Sequence, residues 1–376
     1  MHQKIYTALK ILLFSKKNFK FPNKNQILIL DKMGSKKIER YVIPGKKNTI
    51  LPLKTENLNL PIFIYSIFFI FKYGKYSYEV CFIKYVKPKI AITFIDNSYF
   101  YCDVFQFIKS CKLILVQNGR GLDRFKNIKS KLPRYFCDYY FVNSSYFIDY
   151  AKKYLAATYI TSGSIIANSF PVANTFKKIN KIQWVSHFRS KERNYNYNYN
   201  SFYVEPCQRS LVEIQEYAIK HQLNLEVIGR TDSEEEVIFF KKYINKMNFN
   251  FISNNLSDNV SISYTSISDD SIITGIDSQF LYETFGRGYR TAFLSTRGYY
   301  IGNQAYNFAW PFKTNIAGKF WINQPIKGQI NDILDYLSHI NQKDWKEVNH
   351  SYAGIIKHNY TNNIIQNVVN KEIEKN

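Results

Sequence analysis

Short apolar runs recur along the first half of the chain, each closing on polar residues and separated from the next by a helix-length interval. Gln26-Ile-Leu-Ile-Leu-Asp31 has the form of a first buried strand with its loop, and Tyr41-Val-Ile43, ahead of Pro44-Gly45, that of a second. Pro88-Lys-Ile-Ala-Ile-Thr-Phe-Ile-Asp-Asn97 and Cys111-Lys-Leu-Ile-Leu-Val-Gln-Asn-Gly-Arg-Gly121 follow, then Tyr139-Tyr-Phe-Val142 and Thr158-Tyr-Ile-Thr161. Runs of this kind, apolar on both sides rather than alternating, predict strands of a mostly parallel sheet with helices on its faces.

A change of texture at Phe170-Pro-Val-Ala-Asn-Thr-Phe-Lys-Lys-Ile-Asn180 marks a boundary, after which the same alternation restarts. Lys181-Ile-Gln-Trp-Val-Ser-His-Phe-Arg189 predicts a strand. Ser210 to His221 predicts a helix, with Leu211, Ile214, Tyr217 and Ala218 on one side. Leu223-Asn-Leu-Glu-Val-Ile-Gly229 is the next strand, Ser233-Glu-Glu-Glu236 a helix start, and Ile272 to Thr274 a further buried strand. The polar turn Gly275 to Ser278 then opens a helix carrying Phe280, Leu281, Tyr282 and Glu283, stopped by Gly286-Arg-Gly288 before the strand Thr291 to Leu294. Two terminal helices are expected, Ile326 to Ile340 and about Trp345 to the end. The expected fold is α/β, two Rossmann-like domains facing a cleft: residues 1–172, residues 181–343, and residues 344–376 as a helix packing back towards the first domain.

Composition changes the picture in three respects. With 376 residues and 45% hydrophobic content, two ordinary cores can be filled. A surplus of 51 basic over 29 acidic residues gives a formal charge of +22, which suits a phosphate-bearing partner, although an AT-rich genome would also raise the lysine count. Five scattered cysteines without a C-x-x-C pair fit free thiols in a reducing, cytoplasmic setting rather than a zinc site. The N-terminus shows no cleavable signal. Leu60-Pro-Ile-Phe-Ile-Tyr-Ser-Ile-Phe-Phe-Ile-Phe71 is too short to span a bilayer. It reads first as a buried helix, and second as a helix dipping into an anionic inner-membrane surface with Lys72, Lys75 and Lys84 near the headgroups.

Candidate chemistry gathers where strands end, because ligands of open parallel sheets bind beyond the carboxyl ends of the strands. In the first half these positions hold Asp96, Asn97, Gln117, Asn118 and Arg120; in the second they hold His187, Arg189 and Arg230. The helix starting near Ser278 offers unpaired N–H groups to a phosphate, so Ser278 and Gln279 are phosphate-side candidates, and Glu283 is placed to accept from ribose hydroxyls. Each of these has a plainer reading: Asp96 as a helix cap, His187 as a hydrogen-bonded structural residue, Glu283 as a solvated charge, and Asn194-Tyr-Asn-Tyr-Asn-Tyr-Asn200 as plain loop. No P-loop, H-E-x-x-H or spaced D-x-D signature is present, and neither a metal nor a cofactor is expected.

Four stretches, in this order and spacing, narrow the reading: Ile92-Thr-Phe-Ile-Asp-Asn97, Leu115-Val-Gln-Asn-Gly119, Trp184-Val-Ser-His-Phe-Arg189 and Asp277-Ser-Gln-Phe-Leu-Tyr-Glu-Thr-Phe-Gly-Arg-Gly288. Over about residues 25 to 330 the chain resembles the bacterial surface carbohydrate (lipopolysaccharide or capsule) biosynthesis proteins and, more broadly, GT-B glycosyltransferases. The resemblance implies metal-independent transfer of a sugar from a CMP-, UDP- or GDP-linked donor to a growing surface polysaccharide or lipid-linked glycan. Asp96 would then be the general base, or a nucleophile in a retaining enzyme. The Asp277-Ser278 helix start also resembles, more distantly, polyol-phosphate (CDP-glycerol or CDP-ribitol) transferases. Gln117-Asn118-Gly119 departs from the His-Gly-Thr type motif of their first domain. A non-catalytic nucleic-acid-binding protein or a scaffold remains the alternative from another class, but no recognition module for nucleic acid is present.

Overall fold

The computed structural model describes residues 13–52, 56–96, 99–119, 135–191, 197–254, 261–310, 312 and 315–375. The chain divides into two units, Met1–Ser169 with Asn359–Asn376, and Phe170–His358.

In the first unit six strands form one parallel sheet: β2 (Ile27–Ile29), β3 (Thr49–Ile50), β5 (Ile90–Thr93), β6 (Lys112–Val116), β7 (Tyr135–Val142) and β8 (Leu155–Thr161). Their order is β3-β2-β5-β6-β7-β8, so the direction of winding reverses between β2 and β5. β2 and β5 are buried along their whole length, as are Leu113 to Val116 of β6, which is why these runs lack alternation. A separate pair, β1 (Lys16–Asn18) with β4 (Asn57–Asn59), lies outside this sheet. The helix Ser77–Val86 buries Val80, Cys81, Phe82, Ile83 and Val86, and ends where Lys87 turns left-handed just before Pro88. The last helix of the chain, Asn363–Glu374, also belongs to this unit. Its Ile365 and Val369 are fully buried, Gln366 donates to the Tyr41 carbonyl, and Tyr139 donates to Glu372.

The second unit holds a seven-stranded sheet: β9 (Lys181–Val185), β10 (Asn224–Ile228), β11 (Asn250–Ile252), β12 (Ser271–Gly275), β13 (Thr291–Leu294), β14 (Ala317–Gly318) and β15 (Trp321–Ile322). The order is β11-β10-β9-β12-β13-β15-β14, with only β14 antiparallel. Winding reverses between β9 and β12, the arrangement that leaves a crevice at the carboxyl ends of those two strands. The helix Glu205–Lys220 covers one face through Leu211, Ile214, Tyr217 and Ala218. Trp184, Trp321 and Trp345 are fully buried, and the Trp345 indole donates to the Gly288 carbonyl at 3.0 Å.

Three expectations are corrected. Tyr41-Val-Ile43 is the end of a helix, Ser35–Tyr41, and the second strand is Thr49–Ile50. Ile38 and Tyr41, three apart, face the core together, so the apolar cluster has a helical period rather than a strand's. The stretch from Leu60 to Phe71 is not a buried helix: of the helix Leu60–Ile67 only Ile62 and Ser66 are buried, and it breaks at Phe68 before a short turn, Ile70–Tyr73. The final helical region is two helices, Gln342–Ser351 and Asn363–Glu374. Between them Asn362 turns its amide inward to the Ile165 carbonyl and to Asn168, which a continuous helix would not allow.

Candidate functional site

The carboxyl edge of the second sheet brings the ends of β10, β9 and β12 side by side. Ser186 is tied back by its N–H to the Ile228 carbonyl, and its hydroxyl accepts from the Phe188 N–H at 3.0 Å, so the chain turns sharply and presents His187 and Arg189. Arg189 donates from Nη2 to Nε2 of His187 at 3.2 Å. A guanidinium can only donate, so Nε2 is unprotonated and the imidazole carries its proton on Nδ1. Burial, and then the charges of Arg297, Arg189 and Arg230, hold the His187 pKa well below the usual histidine range. The ring is therefore a neutral member of a cationic cluster.

Arg230 is fixed from behind. The carboxylate of the fully buried Glu236 accepts the N–H of Arg230 at 2.8 Å, the N–H of Thr231 at 2.8 Å and the Thr231 hydroxyl at 2.6 Å. Ser233 caps the helix that carries Glu236, Glu234–Tyr243. The Arg230 guanidinium reaches across to the Phe188 carbonyl at 2.9 Å, joining the ends of β10 and β9.

At the end of β12 the backbone comes so close to β9 that a Cβ on Gly275 would lie 2.8 Å from the Val185 carbonyl oxygen, a contact only glycine avoids. Asp277, next in line, is neutralised: both of its oxygens accept from Nη1 of Arg297, at 2.6 and 2.7 Å, and both side chains are buried. Arg297 also donates from Nε to the Phe202 carbonyl and lies 4.4 Å over the Phe202 ring, while its Nη2 is buried with no hydrogen-bond partner. Ser278 is the N-cap of the helix Gln279–Gly286, its hydroxyl accepting from the Phe280 N–H. Glu283, on the same helix, is buried and accepts from the Tyr264 hydroxyl and from the Gln279 amide. Arg189, Arg230, Arg297 and a helix N-terminus thus surround an edge whose acids, Asp277 and Glu236, are already engaged. Such an edge favours an incoming anion.

The corresponding edge of the first unit has the opposite character. Asp96, just beyond β5, is 3% exposed. Its Oδ2 accepts from the Tyr140 hydroxyl at 2.6 Å and its Oδ1 from the Asn118 N–H at 3.2 Å, so it links the ends of β5, β6 and β7. Gln117 is buried, with its amide donating to the Gly119 carbonyl and its oxygen accepting from the Asn143 N–H. Asn118 is exposed. A second acid, Asp31 at the end of β2, accepts from the Gly34 N–H and the Thr93 hydroxyl. Asn97 and Arg120 lie outside the described residues, as do residues 192–196 of the tyrosine-rich loop.

Each edge therefore assembles what the sequence placed there: Gln117 and Asn118 with Asp96, and His187 with Arg189 and Arg230. Arg297, Glu236 and Tyr140 escaped the sequence reading. Arg297 alone carried a usable signal, since it comes three residues after the strand Thr291–Leu294 and strand ends are where such groups collect.

Residues 114–373 match the model of the family described as "putative O-antigen biosynthesis protein". No curated protein matches. Among solved structures the chain is similar to UDP-GlcNAc 2-epimerase from Methanocaldococcus jannaschii, at TM-score 0.52 and 10% identity over 92% of this chain and 99% of that one. It is similar also to UDP-GlcNAc 2-epimerase from Neisseria meningitidis bound to UDP-GlcNAc, at TM-score 0.51 and 9% identity over 93% and 99%. The wall teichoic acid polymerase TagF matches at TM-score 0.48 and 10% identity, over 98% and 93%. At these identities the likeness is one of fold: mixed α/β, with two Rossmann-like domains of the GT-B class. The family match, which spans more than half of the chain, carries more, and by it this protein belongs to the O-antigen biosynthesis protein family.

Proposed function

We propose that this protein is a glycosyltransferase that moves a sugar from a nucleotide-sugar donor to a growing surface polysaccharide or lipid-linked glycan. The observation that carries the reading is the edge at β10, β9 and β12, where Arg189, Arg230 and the start of the helix Gln279–Gly286 stand beside Asp277, which is paired with Arg297, and Glu236, whose oxygens are taken up by the Arg230 loop. A leaving nucleotide phosphate gains negative charge as the bond to the sugar breaks, and fixed cations and helix N–H groups stabilise that charge. Ser278 and Gln279 would meet the phosphates and Glu283 the ribose.

In the proposed step the acceptor hydroxyl oxygen bonds to the anomeric carbon, the carbon–oxygen bond to phosphate breaks, and its electron pair leaves on the nucleotide. The hydroxyl proton passes to Asp96, which exchanges its bond to Tyr140 or Asn118 to take it. Membership of an O-antigen biosynthesis family supports a glycan as the acceptor.

The test is a thermal-shift screen with CMP, CDP, UDP, GDP and their sugar conjugates, followed by donor hydrolysis. Stabilisation by one nucleotide class, abolished by Arg189→Ala or Arg230→Ala, is the expected result. Indifference to every nucleotide and donor, with salt-sensitive binding to arbitrary nucleic acid, would overturn it. Turnover of CDP-glycerol with none of any nucleotide sugar would assign a polyol-phosphate transferase instead.

A further inference from the structure

The segment from Asn57 to Tyr78 contains no acidic residue, and neither does Leu13 to Gln26. The two are joined in space: β1 pairs with β4, and the Asn59 amide donates to the Lys20 carbonyl at 2.8 Å. From this platform the helix Leu60–Ile67 starts with an Asn59 cap and Pro61 in its first turn. Its outward side and the turn that follows leave Ile64, Tyr65, Ile67, Phe68, Ile70 and Phe71 exposed, Phe68 at 79% and Phe71 fully. Phe14 and Phe19, from the strand side, are exposed as well.

So many large apolar side chains exposed on one short stretch are costly in water and mark a docking site. Its surroundings say for what. Lys16, Lys17, Lys20 and Lys24 come from one segment and Lys72 and Lys75 from the other, with no carboxylate in either. Lys72 and Lys75 lie against the Tyr73 and Tyr76 rings, at 5.6 and 4.8 Å from the centroids. A second copy of this chain is a poor occupant, because a self-complementary interface would bring lysines against lysines. No helix among the described residues is long and apolar enough to cross a membrane. Apolar side chains that enter the acyl boundary, an exposed tyrosine, here Tyr65, at the headgroup level and lysines on anionic phosphates are the three parts of an interfacial anchor.

We infer that this face of the first unit docks onto an anionic bilayer surface, with Phe68 and Phe71 inserting and the lysines of both segments binding lipid phosphates. The inference is independent of the proposed transfer reaction.

Sedimentation of the full chain with phosphatidylglycerol and with phosphatidylcholine vesicles, without nucleotide, tests it. Binding is expected to phosphatidylglycerol vesicles, and to weaken with salt. It should fall at least about tenfold in a Phe68→Ser/Phe71→Ser variant, since each ring contributes its own buried area. Both side chains are exposed, so the variant should melt as the parent does. A Lys16→Glu/Lys17→Glu/Lys72→Glu variant should lose the preference for phosphatidylglycerol. Absence of binding to phosphatidylglycerol vesicles would overturn the inference, as would equal binding by the parent and the serine variant. Self-association in light scattering that the serine variant abolishes, with no vesicle binding by either, would assign the face to a second copy of the chain instead.

Discussion

The carboxyl edges of the two sheets differ in how they treat a carboxylate. In the first unit the described donors to Asp31 and Asp96 are a hydroxyl and a backbone N–H each. In the second, Asp277 is cancelled by a buried arginine, and Glu236 spends its oxygens on the loop that carries Arg230. Among the described residues, similar topology therefore yields one edge that gathers two acids and one where Arg189, Arg230 and Arg297 stand beside Asp277 and Glu236. This difference, rather than the fold, is what supports the proposed division of roles, with the phosphate at the second unit and proton transfer at the first.

The sharpest way to break this comparison is Asp96→Asn, which preserves shape and can still bond to Tyr140 and Asn118. Turnover should fall by about 10²- to 10⁴-fold with nucleotide affinity unchanged, as expected for the loss of a general base. Unchanged turnover would reduce Asp96 to a tie between strands. Next in size is Arg297→Ala, which strands the buried Asp277. It should cost about 3–5 kcal/mol in denaturant unfolding, and Asp277→Asn in the same chain should recover part of that. Asp96→Ala, which removes the acceptor for the Tyr140 hydroxyl and the Asn118 N–H, should cost about 1–3 kcal/mol. Equal costs would mean that the two edges do not differ in the way described.

Affinity is the third measure. Arg189→Ala and Arg230→Ala should each weaken nucleotide binding by about 10- to 100-fold, the worth of a charge-assisted hydrogen bond. The smallest effect is the response to acid. All described histidines lie in the second unit, and burial holds two of them below their usual range, His187 well below and His358 at about 4. A depressed folded pKa means that the unfolded chain takes up the proton first. Stability should hold above about pH 6.5 and decline as pH falls below it, by less than about 1.4 kcal/mol per pH unit for each group. Unfolding followed against pH should show a shallower decline in His187→Gln.

What could be read in advance follows from what each element answers to. Strands buried on both faces are dictated by local apolar runs, and Lys181–Val185 and Thr291–Leu294 lie where the pattern put them. The caps Ser233 and Ser278 were equally legible, because a cap is a bond between near neighbours. Tyr41-Val-Ile43 misled because three apolar residues fit either period until Ile38 is counted with them. The stretch from Leu60 to Phe71 misled for another reason: apolar sequence implies burial only if some element arrives to cover it. Partners distant in sequence, such as Tyr140 for Asp96 or Arg297 for Asp277, depend on sheet order and could not be inferred from spacing. Strand-end residues were predictable as a class, since parallel winding delivers them to one edge whatever their identity.

The helix Asn363–Glu374 has a consequence for the order in which the chain matures. It is synthesised after the whole of the second unit, yet its Ile365 and Val369 complete the core of the unit whose strands are synthesised before it. The sequence of the second unit is therefore complete before the residues that cover this apolar face of the first have been made. Cutting the chain before Asn363 should therefore leave an apolar face of the first unit uncovered while removing nothing from the second.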